Sequence, residues 1–508
     1  MEIFNMNNVS TLSKLITFLF TLAFSFTSFA ADKAPSTENK TVKPAQEFIT
    51  HHSGKFNGNK IAYTAIAGET LLKNKKGEVT ARLFSTAYIK DNVKDATKRP
   101  IAFFYNGGPG SASVWLHMGV LGPKRVDIPS DAKDDGAAPY PIKHNSKSLL
   151  DVTDMVFIDP IGTGYSIVDG VGKNKDFWGV HEDAKSLALF IRGWLTKHNR
   201  WNSPKFIGGE SYGTTRSAAL VKQLEGGYGD VSLNGIMLIS TILDFTVRAY
   251  DPGNEMAYMA YLPTMSATAH YHKKAGNNLN LIDFVEQSRQ FAQGDYISAL
   301  LKGNNLSATE RASIRKKLAY FTGLSEKYIE LANLRVSYQR FSKELLREEG
   351  LTVGRLDSRF TGKDFDNAGE YPDNDPSFYG IDGAYTAAIN DYLRKDLKVA
   401  IDREYNIIGL DGKWNWDISN GRRNPYLNVA PYIGKAMREN KHLKVFNGAG
   451  YYDFATPFMG AEYSLNRNGI DANRLTEKYY EAGHMMYIHH PSLDQLVKDL
   501  RTFIRSAH

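Results

Sequence analysis

The chain has 508 residues, 42% of them apolar and 23% charged, with a net charge of +7 and no cysteine. That length and balance exclude the fibrous and disordered classes and allow a large core. The missing cysteine excludes disulfides, a thiol nucleophile and thiolate metal sites, and the basic residues are scattered among acids and apolar positions, which argues for a solvated surface and against nucleic acid as a partner.

In chain order, Lys14 precedes the apolar stretch Leu15 to Phe26, and Ser28-Phe29-Ala30 supplies the small residues that a signal peptidase reads. About a dozen apolar residues fall short of the roughly 20 that cross a bilayer. The expectation is a signal peptide over residues 1–30, cleaved near Ala30, with no stable membrane anchor left behind. Export of a bacterial periplasmic or secreted protein fits the absence of cysteine better than a eukaryotic lysosomal or extracellular setting. Residues 31–50, rich in Lys, Ser, Thr and Pro, read as a flexible lead-in.

From Gly54 to about Asn92, alternating stretches at Lys60 to Ile66 and Val79 to Ile89 are broken by Asn57-Gly58 and Lys76-Gly77, the pattern of an antiparallel ribbon. Apolar runs at Ile101 to Tyr105, Met155 to Ile158, Phe206 to Ile207 and Ile236 to Ile239 then alternate with helical patterns, as in a mainly parallel sheet flanked by crossover helices. The best of these helices spans about Glu182 to His198, with Leu187, Phe190, Ile191, Trp194 and Leu195 on one face. Residues 244–394 read as a mostly helical cap inserted over one edge of the sheet. Within it Ser307 and Glu310 form a capping box, Gly323 ends that helix, a second helical stretch runs from about Ser325 to Glu349, and Asp364 to Asp382 reads as a long loop. Residues 51–243 and 395–508 make up the α/β core. Its last elements are strands at Leu443 to Asn447 and Lys478 to Tyr480 and a helix from Leu493 to Ile504.

Three features carry chemistry. Ser211 is the centre of Gly209-Glu210-Ser211-Tyr212-Gly213, after a strand and before the helix-compatible Thr214 to Leu224; flanking glycines permit the sharp turn that lifts a serine oxygen above a sheet. A serine nucleophile needs a base and an orienting acid. His484 and Asp453 each follow a strand-like run, in the order Ser, Asp, His. The loop Asn106-Gly107-Gly108-Pro109-Gly110 follows the strand at Ile101 and lacks the Lys-Ser/Thr ending of a phosphate loop, so its backbone N–H groups suit an oxyanion. Gly108 and Tyr212 are the candidate donors. His489-His490 receive no functional role, because neighbouring histidines point apart and no acid completes a metal site. No metal and no cofactor is required.

Together with Asp159-Pro160-Ile161-Gly162-Thr163-Gly164-Tyr165-Ser166 and Gly483-His484-Met485, these motifs resemble the serine carboxypeptidase family over most of the chain after the leader, in the family's order. The resemblance implies an α/β-hydrolase fold with a cap, and removal of C-terminal residues from peptides that carry a free C-terminus. It further implies Ser211, Asp453 and His484 as the triad, Gly108 and Tyr212 as the oxyanion hole, and Asn106, Gly107 and Glu210 as the grip on the substrate's terminal carboxylate. Three departures stand out, one being that Asp453 lies only 31 residues before His484, a shorter interval than is usual in the family. Many family members place a second glutamate two residues before a Gly-Pro pair, to share a proton with the first; before Gly122-Pro123 that position is Val120. After the nucleophile, Thr214-Thr215-Arg216 replaces the family's usual His-Tyr-aliphatic-Pro pattern. Arg216 or His117 is offered as the positive charge that compensates for the missing acid. An esterase or acyltransferase on the same scaffold, and a non-catalytic binding or protective protein, remain the alternatives. The sequence carries no signal for an oligomeric state.

Overall fold

A two-residue connection at Asn57-Gly58, with φ of 45° and 84°, turns strand β1 (Glu47–Phe56) back onto β2 (Asn59–Lys73), and β3 (Val79–Lys90) completes an antiparallel ribbon. The computed structural model describes residues 42–508 except 228, 411 and 420–425, so the expected leader and residues 31–41 of the lead-in lie outside the described residues. The remainder of the lead-in corrects its expectation. Glu47 to Thr50 already pair with Gly68 to Ala65. Ahead of them, the buried Arg82, held by Glu69 and Asp169, donates to the carbonyls of Lys43 and Pro44. A buried guanidinium needs those acceptors, and that tertiary demand overrides the local composition.

Strands β4 (Ile101–Tyr105), β5 (Asp154–Ile158), β6 (Lys205–Glu210), β7 (Gly235–Ile239), β8 (Lys444–Gly450) and β9 (Leu475–Tyr480) continue the sheet. The order is β1-β2-β3-β5-β4-β6-β7-β8-β9, antiparallel as far as the β3–β5 pair and parallel beyond it. Every residue of β4 to β7 is buried, because helices cover both faces. On one face lie α1 (Val180–Lys197), α2 (Tyr212–Leu224) and the helix Ala430–Glu439; the helix His490–Ser506 lies on the other. The stripe Leu187, Phe190, Ile191, Trp194 and Leu195 is the buried face of α1.

Helices α3 (Met256–Tyr271) and α4 (Ala308–Thr322) belong to the region between β7 and β8, and α4 has both halves of the Ser307–Glu310 capping box and a left-handed Gly323. Ser325 to Glu349 is not one helix. Asn333 and Leu334 take φ of 52° and 60°, which splits the stretch into helices Glu326–Leu331 and Tyr338–Glu344, the second capped by Ser337. Leu334 is buried in the cluster formed by these helices, and that burial offsets the left-handed backbone. The loop expected at Asp364 to Asp382 ends at Asp375, whose side chain accepts from Ser377 N and caps helix α5 (Pro376–Asp391), with Pro376 in its first turn. Asp and Pro are loop formers and helix starters alike, which is why composition misplaces this boundary. Helix α5 packs into the core on the His490–Ser506 side of the sheet, with the Tyr385 ring 4.9 Å from that of Trp115. The insertion therefore ends inside the main body.

Candidate active site

Ser211 links β6 to α2 with φ 62° and ψ −129°, a region that non-glycine residues rarely enter. Its N–H donates to the Ile239 carbonyl at 3.0 Å, and its carbonyl accepts from Thr214 N at 2.9 Å and Thr214 Oγ1 at 2.7 Å. A Cβ on Gly209 would lie 2.1 Å from the Gly213 carbonyl oxygen. The glycines of the pentapeptide thus let a strand fold directly against its own helix.

The loop leaving β4 arrives beside this turn. A Cβ on Gly107 would stand 2.5 Å from Tyr212 N and 2.7 Å from the Glu210 carbonyl oxygen, so only glycine permits the approach. Gly107 O accepts from Ser111 N at 3.2 Å, closing the loop that carries Gly108. Tyr212 opens α2, where unpaired N–H groups and the helix dipole favour negative charge. Behind the loop, Asp159 accepts from Ser113 N at 2.9 Å, and Ser166 Oγ ties the Asp159 carbonyl to Phe84 N. The Asp159 to Ser166 motif is therefore a buttress, and burial pushes the Asp159 carboxyl up to about 7.

Asp453 follows β8 and is fully buried. Its Oδ1 accepts from Ala455 N (2.7 Å) and Thr456 N (2.9 Å), and its Oδ2 from Thr456 Oγ1 (2.6 Å) and His484 Nδ1 (2.7 Å). His484 N donates to the Leu356 carbonyl at 2.6 Å, and Gly483 N to Asp357 Oδ2 at 3.0 Å, so a cap loop clamps the histidine. Burial alone would lower the His484 pKa, but the Asp453 carboxylate outweighs it and holds the imidazole above its ordinary value. His484 and Ser211 line one cleft of about 170 Å³ with Asn106, Gly107, Gly108 and Glu210. Ser211 Oγ has no hydrogen-bond partner among the described residues; contacts of a nucleophile with its base tighten when substrate binds. The set can deprotonate a serine, hold an imidazolium and receive an oxyanion.

Glu210 is buried at the floor of the cleft, with Oε1 accepting from Asn106 Nδ2 at 3.0 Å. Burial pushes its carboxyl up to about 7, against the opposing pull of His484, the neighbouring Tyr487 hydroxyl and Asn106. Glu210 Oε2 and the Tyr487 hydroxyl lack completed hydrogen bonds. Val120 is wholly buried among apolar residues, so the cleft has no second acid there.

The compensating role offered for Arg216 or His117 fails on geometry. Arg216 is fully buried, its Nε bound to Asp183 Oδ2 at 2.6 Å and its Nη1 to the Asn106 carbonyl. Burial holds the His117 pKa down to about 3, so the ring is neutral, and its Nε2 meets the Tyr88 hydroxyl. Arg216 instead ties α1 and α2 to the loop that leaves β4. Arg216→Ala leaves Asp183 buried without its partner, and an unfolding free energy lower by about 3–5 kcal/mol is expected in denaturant melts. Activity on free-acid and amidated peptides should fall together, with their ratio unchanged.

Sequence reasoning missed Thr456, Leu356, Tyr487 and Arg355. Thr456 follows Asp453 at the spacing of an Asx turn and could have been found from that; Leu356 and Arg355 reach the cleft, and Tyr487 reaches Glu210 from beneath it, only through tertiary packing.

A family model described as serine carboxypeptidase matches residues 76–490. Among curated relatives, "Serine carboxypeptidase-like 13" of Arabidopsis thaliana is 24% identical over 164 residues, covering 31% of this chain and 36% of that protein, and "Serine carboxypeptidase-like 7" is 29% identical over 144 residues, covering 28% and 31%. The chain thus spans about a third of the length of the curated relatives it matches. Among solved structures, Kex1(Δ)p, a prohormone-processing carboxypeptidase from Saccharomyces cerevisiae, superposes with a TM-score of 0.51 at 15% identity, covering 87% of this chain and 91% of that one, a likeness of α/β-hydrolase fold.

Proposed function

The chain belongs to the serine carboxypeptidase family, and on that premise we propose that it removes C-terminal residues from peptides through an acyl-serine intermediate. Ser211 Oγ attacks the last peptide carbonyl while His484 takes its proton; Asp453 fixes the imidazole tautomer; the N–H groups of Gly108 and Tyr212 receive the oxyanion; His484 then protonates the departing amine, and water releases the acyl group. The observation that carries the reading is the buried Asn106–Glu210 pair in the Ser211 cleft, a carboxyl that burial holds up to about 7 and that, when protonated, can hydrogen-bond a terminal carboxylate.

Catalysis requires neutral His484, whose pKa is raised, so activity falls on the acid side. Gripping a carboxylate requires protonated Glu210, so kcat/KM for free-acid peptides is expected to fall as pH rises through about 7. An ester lacking a carboxylate should show the acid-side fall alone. Matched peptides with free and amidated C-termini, followed by mass spectrometry between pH 5 and pH 9, test both statements; equal cleavage of both kinds of peptide would refute the carboxypeptidase reading.

A second reading, ester hydrolysis or acyl transfer, draws on Val120, since a site with one acid grips a carboxylate less selectively. Failure of the folded protein to react with a fluorophosphonate would point to a non-catalytic binding role. Export as a bacterial periplasmic or secreted enzyme completes the proposal, supported by the leader at residues 1–30 and the absence of cysteine. No helix among the described residues is long and apolar enough to cross a membrane.

A further inference from the structure

The cap contributes one charged side chain to the Ser211 cleft, Arg355, and no salt bridge among the described residues engages it there. Asp375, at the start of α5, attracts the guanidinium through space without a direct ion pair, because its oxygens are held by the backbone: Oδ1 accepts from Arg355 N (2.9 Å) and Ser377 N (3.0 Å), and Oδ2 from Leu356 N (3.2 Å). Asp357, two residues on, is bound by Arg359 at 2.9 and 2.6 Å and by Gly483 N. No carboxylate among the described residues forms an ion pair with Arg355, although the side chain is partly buried. The Tyr338 hydroxyl hydrogen-bonds the guanidinium, the Tyr261 phenol stands beside it, and the buried Tyr261 hydroxyl has no hydrogen-bond partner among the described residues. Charged groups withdrawn from water are ordinarily paired. A planar guanidinium facing a nucleophile's cleft, with an unspent phenol at its side, matches the two oxygens of a carboxylate.

We propose that Arg355 is a specificity-determining residue that binds a carboxylate carried by the substrate beside the scissile bond, and that this carboxylate is an acidic side chain. The inference rests on the carboxypeptidase reading above. The side chain is favoured over the terminal carboxylate because Asn106, Gly107 and Glu210 already form a separate grip on the β4 and β6 side, whereas Arg355 comes from the cap, over His484. The enzyme would then trim peptides whose last or penultimate residue is Asp or Glu in preference to those with Asn or Gln.

The test measures kcat/KM for peptide pairs differing only as Glu or Gln at the last and at the penultimate position, each as free acid and as amide, with the wild type, Arg355→Gln and Arg355→Lys. The wild type is expected to favour Glu by about 10- to 100-fold at one of the two positions. Arg355→Gln should bring that ratio to about 1, and Arg355→Lys should restore part of it. A ratio near 1 in the wild type would overturn the proposal. So would a loss in Arg355→Gln that lowers the free-acid preference and leaves the Glu/Gln ratio intact, since that marks the terminal carboxylate as the ligand. To separate this from failure of the carboxypeptidase reading, binding of peptides with Glu or Gln at the last and at the penultimate position to the Ser211→Ala protein is measured by calorimetry. Tighter binding of Glu that Arg355→Gln abolishes sustains the inference even without turnover, and equal binding overturns it.

Discussion

Ser211→Ala is expected to lower kcat by about 10⁴- to 10⁶-fold on every substrate and to abolish fluorophosphonate labelling. The size of the effect follows from the role: without Oγ no acyl-enzyme forms, and only binding and the oxyanion donors remain. The fold should not notice. Ser211 Oγ makes no hydrogen bond among the described residues, and the backbone at φ 62° is held by main-chain bonds to Ile239 and Thr214 that alanine keeps. The melting temperature should therefore stay within a degree or two of the wild type, and peptides should still bind. Retention of more than about a hundredth of the wild-type rate by the folded variant would remove Ser211 from the mechanism.

The second large effect concerns the acid. Asp453→Asn should reduce kcat by about 10⁴-fold with little change in KM. Asp453 Oδ1 accepts two backbone N–H groups, which fixes the carbonyl oxygen of an asparagine at that position. The amide nitrogen then replaces Oδ2, facing Thr456 Oγ1 and His484 Nδ1. It donates where the carboxylate accepted, so His484 carries its proton on Nε2 and cannot take one from Ser211. The His484 pKa, held up by the Asp453 charge, should also drop, moving the acid limb of the rate profile to lower pH. Titration of the His484 ring by NMR in both proteins checks that shift, and an unchanged value would mean that Asp453 does not set the ring's charge.

Much of the site could be read along the chain because its constraints are local. Glycines at 107 and 209 answer close backbone approaches, and the strand-turn-helix around Ser211 is a short-range pattern. The parallel strands announced themselves as apolar runs because both faces are covered. Boundaries failed where distant groups decided them. The segment just before Glu47 is ordered by Arg82, the left-handed Leu334 is stabilised by burial among the cap helices, and Asp375 starts a helix where composition suggested only loop.

The sequence by itself determined the fold class, the order of strands along the chain, and the residue types able to perform acyl chemistry at Ser211, Asp453 and His484. Periodicity and turn chemistry act over a few residues and leave a mark there. Only the tertiary structure decided where the charges go. Arg216, a candidate partner for the substrate, is consumed by Asp183 across two helices, His117 is neutral through burial, and Arg355, without any local motif, stands over the cleft with no ion-pair partner among the described residues. Coulomb interactions and desolvation depend on distances through space, and the spacing of residues along a chain does not encode them.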